Sequence, residues 1–104
     1  MTFPIQITAK DPSIKEPIEA LIQERALKLE RFAHRILHAR AVIDTQGAHP
    51  AGHHFKLEIK IKGHEVVVER GPTHDLPHAI RDAFDAARRQ LQDYDAHHHL
   101  ADKH

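Results

Sequence analysis

The sequence predicts an α+β fold: a two-layer β-α-β-β-β-α sandwich, with a four-stranded sheet and two helices on one face. Three observations predict it. Residues 55–62, FKLEIKIK, alternate apolar and charged side chains without a break, which is the period of a half-buried strand. Two other stretches, 14–35 and 75–94, space their apolar residues three and four apart, as a helix does. The outward charges on the strands leave one sheet face to water, so both helices must share the other.

Each element has its own signal. In residues 3–9, FPIQITA, Phe3, Ile5 and Ile7 fall on one side and Gln6 and Thr8 on the other, giving the first strand. Ser13 with Glu16 three residues on resembles a capping box, and Pro17 fits a first helical turn. Ile18, Leu21, Ile22, Ala26, Leu29, Phe32, Ala33 and Ile36 then form an apolar stripe, so a helix is expected over about 14–35. Residues 39–45, ARAVIDT, give the second strand, and QGAHPAGHH has the composition of a loop. After FKLEIKIK, Gly63 marks a tight turn into EVVVER, an antiparallel hairpin. GPTHD reads as a break. The second helix is expected over about 75–94, with Asp75 as cap, Pro77 in the first turn and Leu76, Ile80, Ala83, Phe84, Ala87, Leu91 and Tyr94 buried. Residues 1–94 thus form one domain, and 95–104 a His-rich tail expected to be mobile.

Composition narrows the function. The 104 residues contain no cysteine, which excludes thiolate nucleophiles and thiolate zinc sites. The amino terminus lacks a signal-peptide pattern and no apolar run reaches membrane-spanning length, so a soluble cytoplasmic protein with no membrane partner is expected. Fifteen Lys/Arg balance fifteen Asp/Glu, but twelve histidines stand beside them. At about pH 5.5 most of these would be protonated, for a net charge on the order of +10. No Gly-rich phosphate loop, nucleophile elbow or HExxH motif is present, so no enzyme and no cofactor are expected.

Two clusters of cations invite a role. On an ideal first helix Arg25, Lys28, Arg31 and Arg35 share one flank, within roughly a 120° arc. Between residues 25 and 40 five basic residues meet one acid, Glu30. The flank can simply complement the helix dipole and keep the helix soluble, or it can be a phosphate-binding stripe; the pattern alone leaves both open. On the second helix Arg81 is four residues from Asp85 and is expected to pair with it. Arg88 and Arg89 outnumber their partners and can reach outward. The histidines group at His34/His38, four apart on one helix face, at His49/His53/His54, and at His97-His98-His99 with His104. They lack the supporting carboxylates of a fixed metal centre, so no metal is assigned.

The chain as a whole resembles the ribosome hibernation-promoting factor family, also called ribosome-associated inhibitor or sigma-54 modulation proteins, in its short form. The likeness covers residues 3–94. It lies in IQITAKD, in KLERFAHRI with KLERF at 28–32, and in DLPHAIRDAFDAARRQLQDY, where Asp75, Ala79, Ile80, Arg89, Gln90 and Leu91 carry the pattern. The resemblance implies a double-stranded-RNA-binding-like fold that docks on 16S rRNA in the decoding channel of the small ribosomal subunit. There it overlaps the tRNA and mRNA sites and idles ribosomes in starvation or stationary phase. A monomer is expected when the protein is free. By position the rRNA-binding residues would be Arg25, Lys28, Arg31, Arg35, Arg88 and Arg89. The chain departs from the family at Ala86, Asp93 and Asp95, where lysines are common, and at Pro77, where an aromatic is usual. Those acids keep a second expectation open, a protein-interaction or regulatory module on the same fold, and the histidines a third, a metal-binding protein.

Overall fold

The structure, a computed structural model, describes residues 3–10, 12–44 and 52–102, with side chains over 3–10, 15–44 and 52–96. Strand β1 (Ile5–Ala9) leads into helix α1 (Pro12–Ala26), which passes directly into a 3-10 helix (Leu27–Phe32). Strands β2 (Ile36–Asp44), β3 (His53–Ile61) and β4 (His64–Thr73) follow, then helix α2 (Leu76–Asp102). The sheet order is β1-β2-β3-β4, with β1 parallel to β2 and the other pairs antiparallel. This is the predicted mixed α+β sandwich.

The pleat sorts the side chains as the alternation requires. Ala39, Ala41, Ile43, Phe55, Leu57, Ile59, Ile61, Val66 and Val68 point inward and are buried. The helices cover them with Ile18, Ile22, Ala26, Leu29 and Phe32 on one side and Leu76, Ile80, Ala83, Phe84, Ala87 and Leu91 on the other. α1 lies over β1 and α2 over β3 and β4, with the two helices in contact. The opposite sheet face is wet.

Several boundaries differ from the sequence expectation, each for a physical reason. The first helix is not one α-helix to residue 35. Ala26, Leu29 and Phe32 are buried at steps of three. An α-helix slips about 60° per such step, whereas a 3-10 helix returns to the same side. The chain therefore tightens after Ala26, and its last amides bond three residues back: Ala33 to Glu30, Arg35 to Phe32, Ile36 to Ala33. Ile36 is consequently the first residue of β2 rather than the last of the helical stripe. α1 begins at Pro12 and holds Pro17 inside it, not in a first turn; the side chain of Ser13 lies outside the described residues.

GPTHD, residues 71–75, is not a clean break either. β4 continues through Gly71 and the cis Gly71–Pro72 bond to pair Thr73 with His53. Gly71 has φ +114° and approaches β3 so closely that a Cβ would sit 2.5 Å from the His53 carbonyl oxygen. Only glycine fits there. The Gly63 turn and the Asp75 cap stand as expected: Gly63 has φ +78°, and the His78 amide donates to Asp75 Oδ1 at 3.2 Å. α2 runs on past Tyr94 to Asp102.

Candidate nucleic-acid interface

The step of three that buries Leu29 and Phe32 also aligns their neighbours. Arg25, Lys28 and Arg31 form a parallel row beside the buried one, and all three line a groove between this segment and α2. Exposed Leu27 and Glu30 fall on the third side. Glu30, the one acid within residues 25–40, therefore stands in a different row from the cations.

From α2 the groove receives Arg81, Phe84, Asp85 and Arg88. The groove has a volume of about 320 Å³. Phe84, buried in the core, forms its apolar floor. Five cationic side chains thus face one carboxylate. Asp85 is engaged: Arg88 approaches it at 3.3 Å and Arg89 at 3.7 Å, and Arg88 also donates to Gln92 Oε1 at 3.3 Å. Lys28, Arg31 and Arg81 make no ion pair among the described residues, and the guanidinium of Arg31 rests 5.2 Å over the Phe32 ring. The Nε of Arg25 is shielded from water without a hydrogen-bond acceptor among them.

Four of the six residues expected to meet rRNA, Arg25, Lys28, Arg31 and Arg88, come together in this groove. Two do not. Arg35 follows the 3-10 helix, where the chain turns toward β2, and its Nε pairs with Asp95 of α2. Arg89 is exposed beside Asp85, outside the groove lining. Arg81 is the residue that sequence reasoning missed. It was expected to pair with Asp85, but Arg88 and Arg89 hold that carboxylate and Arg81 turns into the groove. Three arginines within four residues of the single Asp85 were the available signal.

Three cations elsewhere are paired. Arg40 pairs with Glu58 at 3.2 Å and Lys10 with Asp44 at 3.5 Å. Arg70 Nε donates to Asp82 Oδ2 at 2.5 Å, joining β4 to α2. That bond holds the Asp82 carboxyl below its ordinary 3.8; burial opposes it, and the charges of Arg70, His78 and Arg89 assist.

The described histidines do not converge. His34 lies in the turn after the 3-10 helix and His38 on β2, so they share no helix face. His53 and His54 start β3, and His64 stacks on Tyr94 with centroids 4.7 Å apart. His49 and the side chains of His97, His98, His99 and His104 lie outside the described residues. Among the described residues no group of three or more His, Asp or Glu is placed to hold a metal ion. No helix there is long and apolar enough to cross a membrane.

Residues 5–98 match the family described as Sigma 54 modulation protein / S30EA ribosomal protein. Two solved structures share the fold. A ribosomal subunit interface protein from Coxiella burnetii superposes with a TM-score of 0.76 at 14% identity, covering 90% of this chain and 99% of that one. The N-terminal domain of Protein Y from Thermus thermophilus superposes with a TM-score of 0.72 at 20% identity and the same coverage. No curated protein matches the chain in sequence.

Proposed function

Because the chain belongs to the Sigma 54 modulation protein / S30EA ribosomal protein family, we propose that it idles ribosomes by laying the groove between its helices on 16S rRNA of the small subunit. In this reading the domain occupies the decoding channel, where its bulk excludes tRNA and mRNA in starvation or stationary phase. The protein acts as a monomer in the cytoplasm, without a cofactor or an enzymatic step. The observation that carries the reading is the groove itself, where five cations meet a single carboxylate.

The physics is counterion release and occlusion. A phosphodiester entering the groove meets Arg25, Lys28 and Arg31 from one wall and Arg81 and Arg88 from the other. Each phosphate neutralised returns condensed ions to solution, so affinity falls steeply with salt. Arg88 stands ready to exchange Asp85 for phosphate, and Arg35 contributes only if it leaves Asp95. Asp95 is thus balanced within the chain, and neither Asp93 nor Asp95 lines the groove.

Co-sedimentation of the untagged chain with small subunits, repeated across salt concentrations, tests the proposal. Engagement of three to five phosphates gives a log–log salt slope of roughly −2 to −4. Replacing Arg25, Lys28 and Arg31 together by Gln lowers affinity about 30-fold or more and flattens that slope. Replacing Lys56 and Lys60 on the wet sheet face changes affinity by less than about threefold. Equal losses from the two sets of substitutions, or no co-sedimentation at low salt, would overturn it.

A further inference from the structure

We propose that the groove is also a site for a small free polyanion, a linear polyphosphate of a few phosphate units, which competes with RNA for the protein. The inference rests on the reading of the groove as an RNA-phosphate site and extends that chemistry to a soluble ligand.

Three observations carry it. The cations converge from two walls onto one small volume rather than spreading over a face. At about 320 Å³ the groove is at the lower end of the size of ligand pockets. One carboxylate against five cations leaves an excess of four positive charges, suited to a ligand carrying several negative charges along a short line. Second, Arg25 Nε is a shielded donor with no acceptor among the described residues. A buried donor without a partner is costly, and an oxygen supplied from outside would satisfy it. Third, the apolar floor of Phe84 excludes water beneath the charges, and a lower local dielectric strengthens their pull on an anion.

Asp85 is the internal competitor. It holds Arg88 at 3.3 Å and Arg89 at 3.7 Å. A polyphosphate must draw Arg88 away from it, so the carboxylate tunes affinity downward. Removing its charge should strengthen binding, an effect opposite in sign to damage to the fold.

Isothermal titration of the full chain with inorganic tripolyphosphate tests this in magnesium-free, low-salt buffer at about pH 8, where ordinary histidines are neutral. One-to-one binding at least about tenfold tighter than orthophosphate is expected. Lys28→Gln and Arg31→Gln, both exposed positions, each weaken it about three- to tenfold. Asp85→Asn tightens it about two- to threefold, and Lys56→Gln leaves it unchanged. No binding, or binding that Lys28→Gln and Arg31→Gln leave intact, overturns the inference; so does an Asp85→Asn variant that fails to tighten. The two readings separate cleanly. Co-sedimentation with subunits that survives while tripolyphosphate does not bind removes this inference alone. Tripolyphosphate binding by a chain that never joins the subunit removes the ribosomal reading and leaves the anion site.

Discussion

The wet face of the sheet and the groove between the helices are built from the same side chains and end with opposite electrostatics. On the sheet, register sets Arg40 opposite Glu58, Lys56 opposite Glu69 and Lys60 opposite Glu65. Each of these cations sits opposite a carboxylate in the register, and Arg40 and Glu58 close to an ion pair. Where α1 passes into the 3-10 helix, a step of three puts Arg25, at the end of α1, in one row with Lys28 and Arg31 and sends Glu30 to another. Charge accumulates there because the acids have been given a different azimuth. A chain with no net charge can therefore carry a strongly basic site: local period, rather than composition, decides where charge survives.

The largest expected effect comes from the packing beneath the row. Leu29, fully buried in the core, fixes the 3-10 segment from below. Leu29→Ala should lower unfolding free energy by about 2–5 kcal/mol in denaturant titration. It should also lower RNA affinity in the molecules that remain folded, because the row loses its footing. Unchanged RNA affinity would mean that the cations act through density alone and that their alignment is incidental.

A smaller effect tests the bond that joins the two regions. Arg70 on β4 and Asp82 on α2 tie the sheet edge to the helix that forms one wall of the groove. Since the folded Asp82 carboxyl titrates below its ordinary 3.8, the unfolded chain takes up this proton first as pH falls. The stability contributed is complete above about pH 4 and is lost as pH drops through the lower folded value. Melting temperatures of the wild type and Asp82→Asn should differ by a constant amount near neutrality and converge in acid. A gap that stays constant throughout the acid range would remove ionisation as its cause.

The smallest effect belongs to the balanced face. A double-mutant cycle on Arg40 and Glu58, 3.2 Å apart with Arg40 half exposed, should return about 0.2–1 kcal/mol. Neither single substitution should alter RNA affinity beyond about twofold. A larger change would mean that the wet face contacts the partner, and the contrast between the faces would fail.

Much of the fold was legible because its signals are local and strong. The unbroken alternation of FKLEIKIK, the Gly63 turn and the Asp75 cap each depend on a few adjacent residues, and each is present in the structure. The misreadings arise where two periods nearly coincide or where a distant contact decides. Over two turns, steps of 3.0 and 3.6 residues bury nearly the same positions, so KLERF read as a continuation of the α-helix. That reading kept Arg35 on the basic flank. The pairing of Arg35 with Asp95 spans most of the chain and leaves no local mark. The continuation of β4 through Gly71 and Pro72 likewise depends on His53 across the ladder. Of the site, the first wall was readable from the cluster of cations. Arg81 was not, because choosing among three arginines for one aspartate depends on side-chain geometry rather than spacing.

The 3-10 segment has a metric consequence as well as an angular one. Its rise of about 2.0 Å per residue places side chains three apart about 6 Å from one another along the axis, against about 4.5 Å in an α-helix. Lys28 and Arg31 thus form a straight, stretched ruler whose gradation is close to the separation of neighbouring phosphates along a nucleic-acid strand. Relaxing the segment to α-helix would keep every charge, yet both shorten the ruler and twist it off the line it measures.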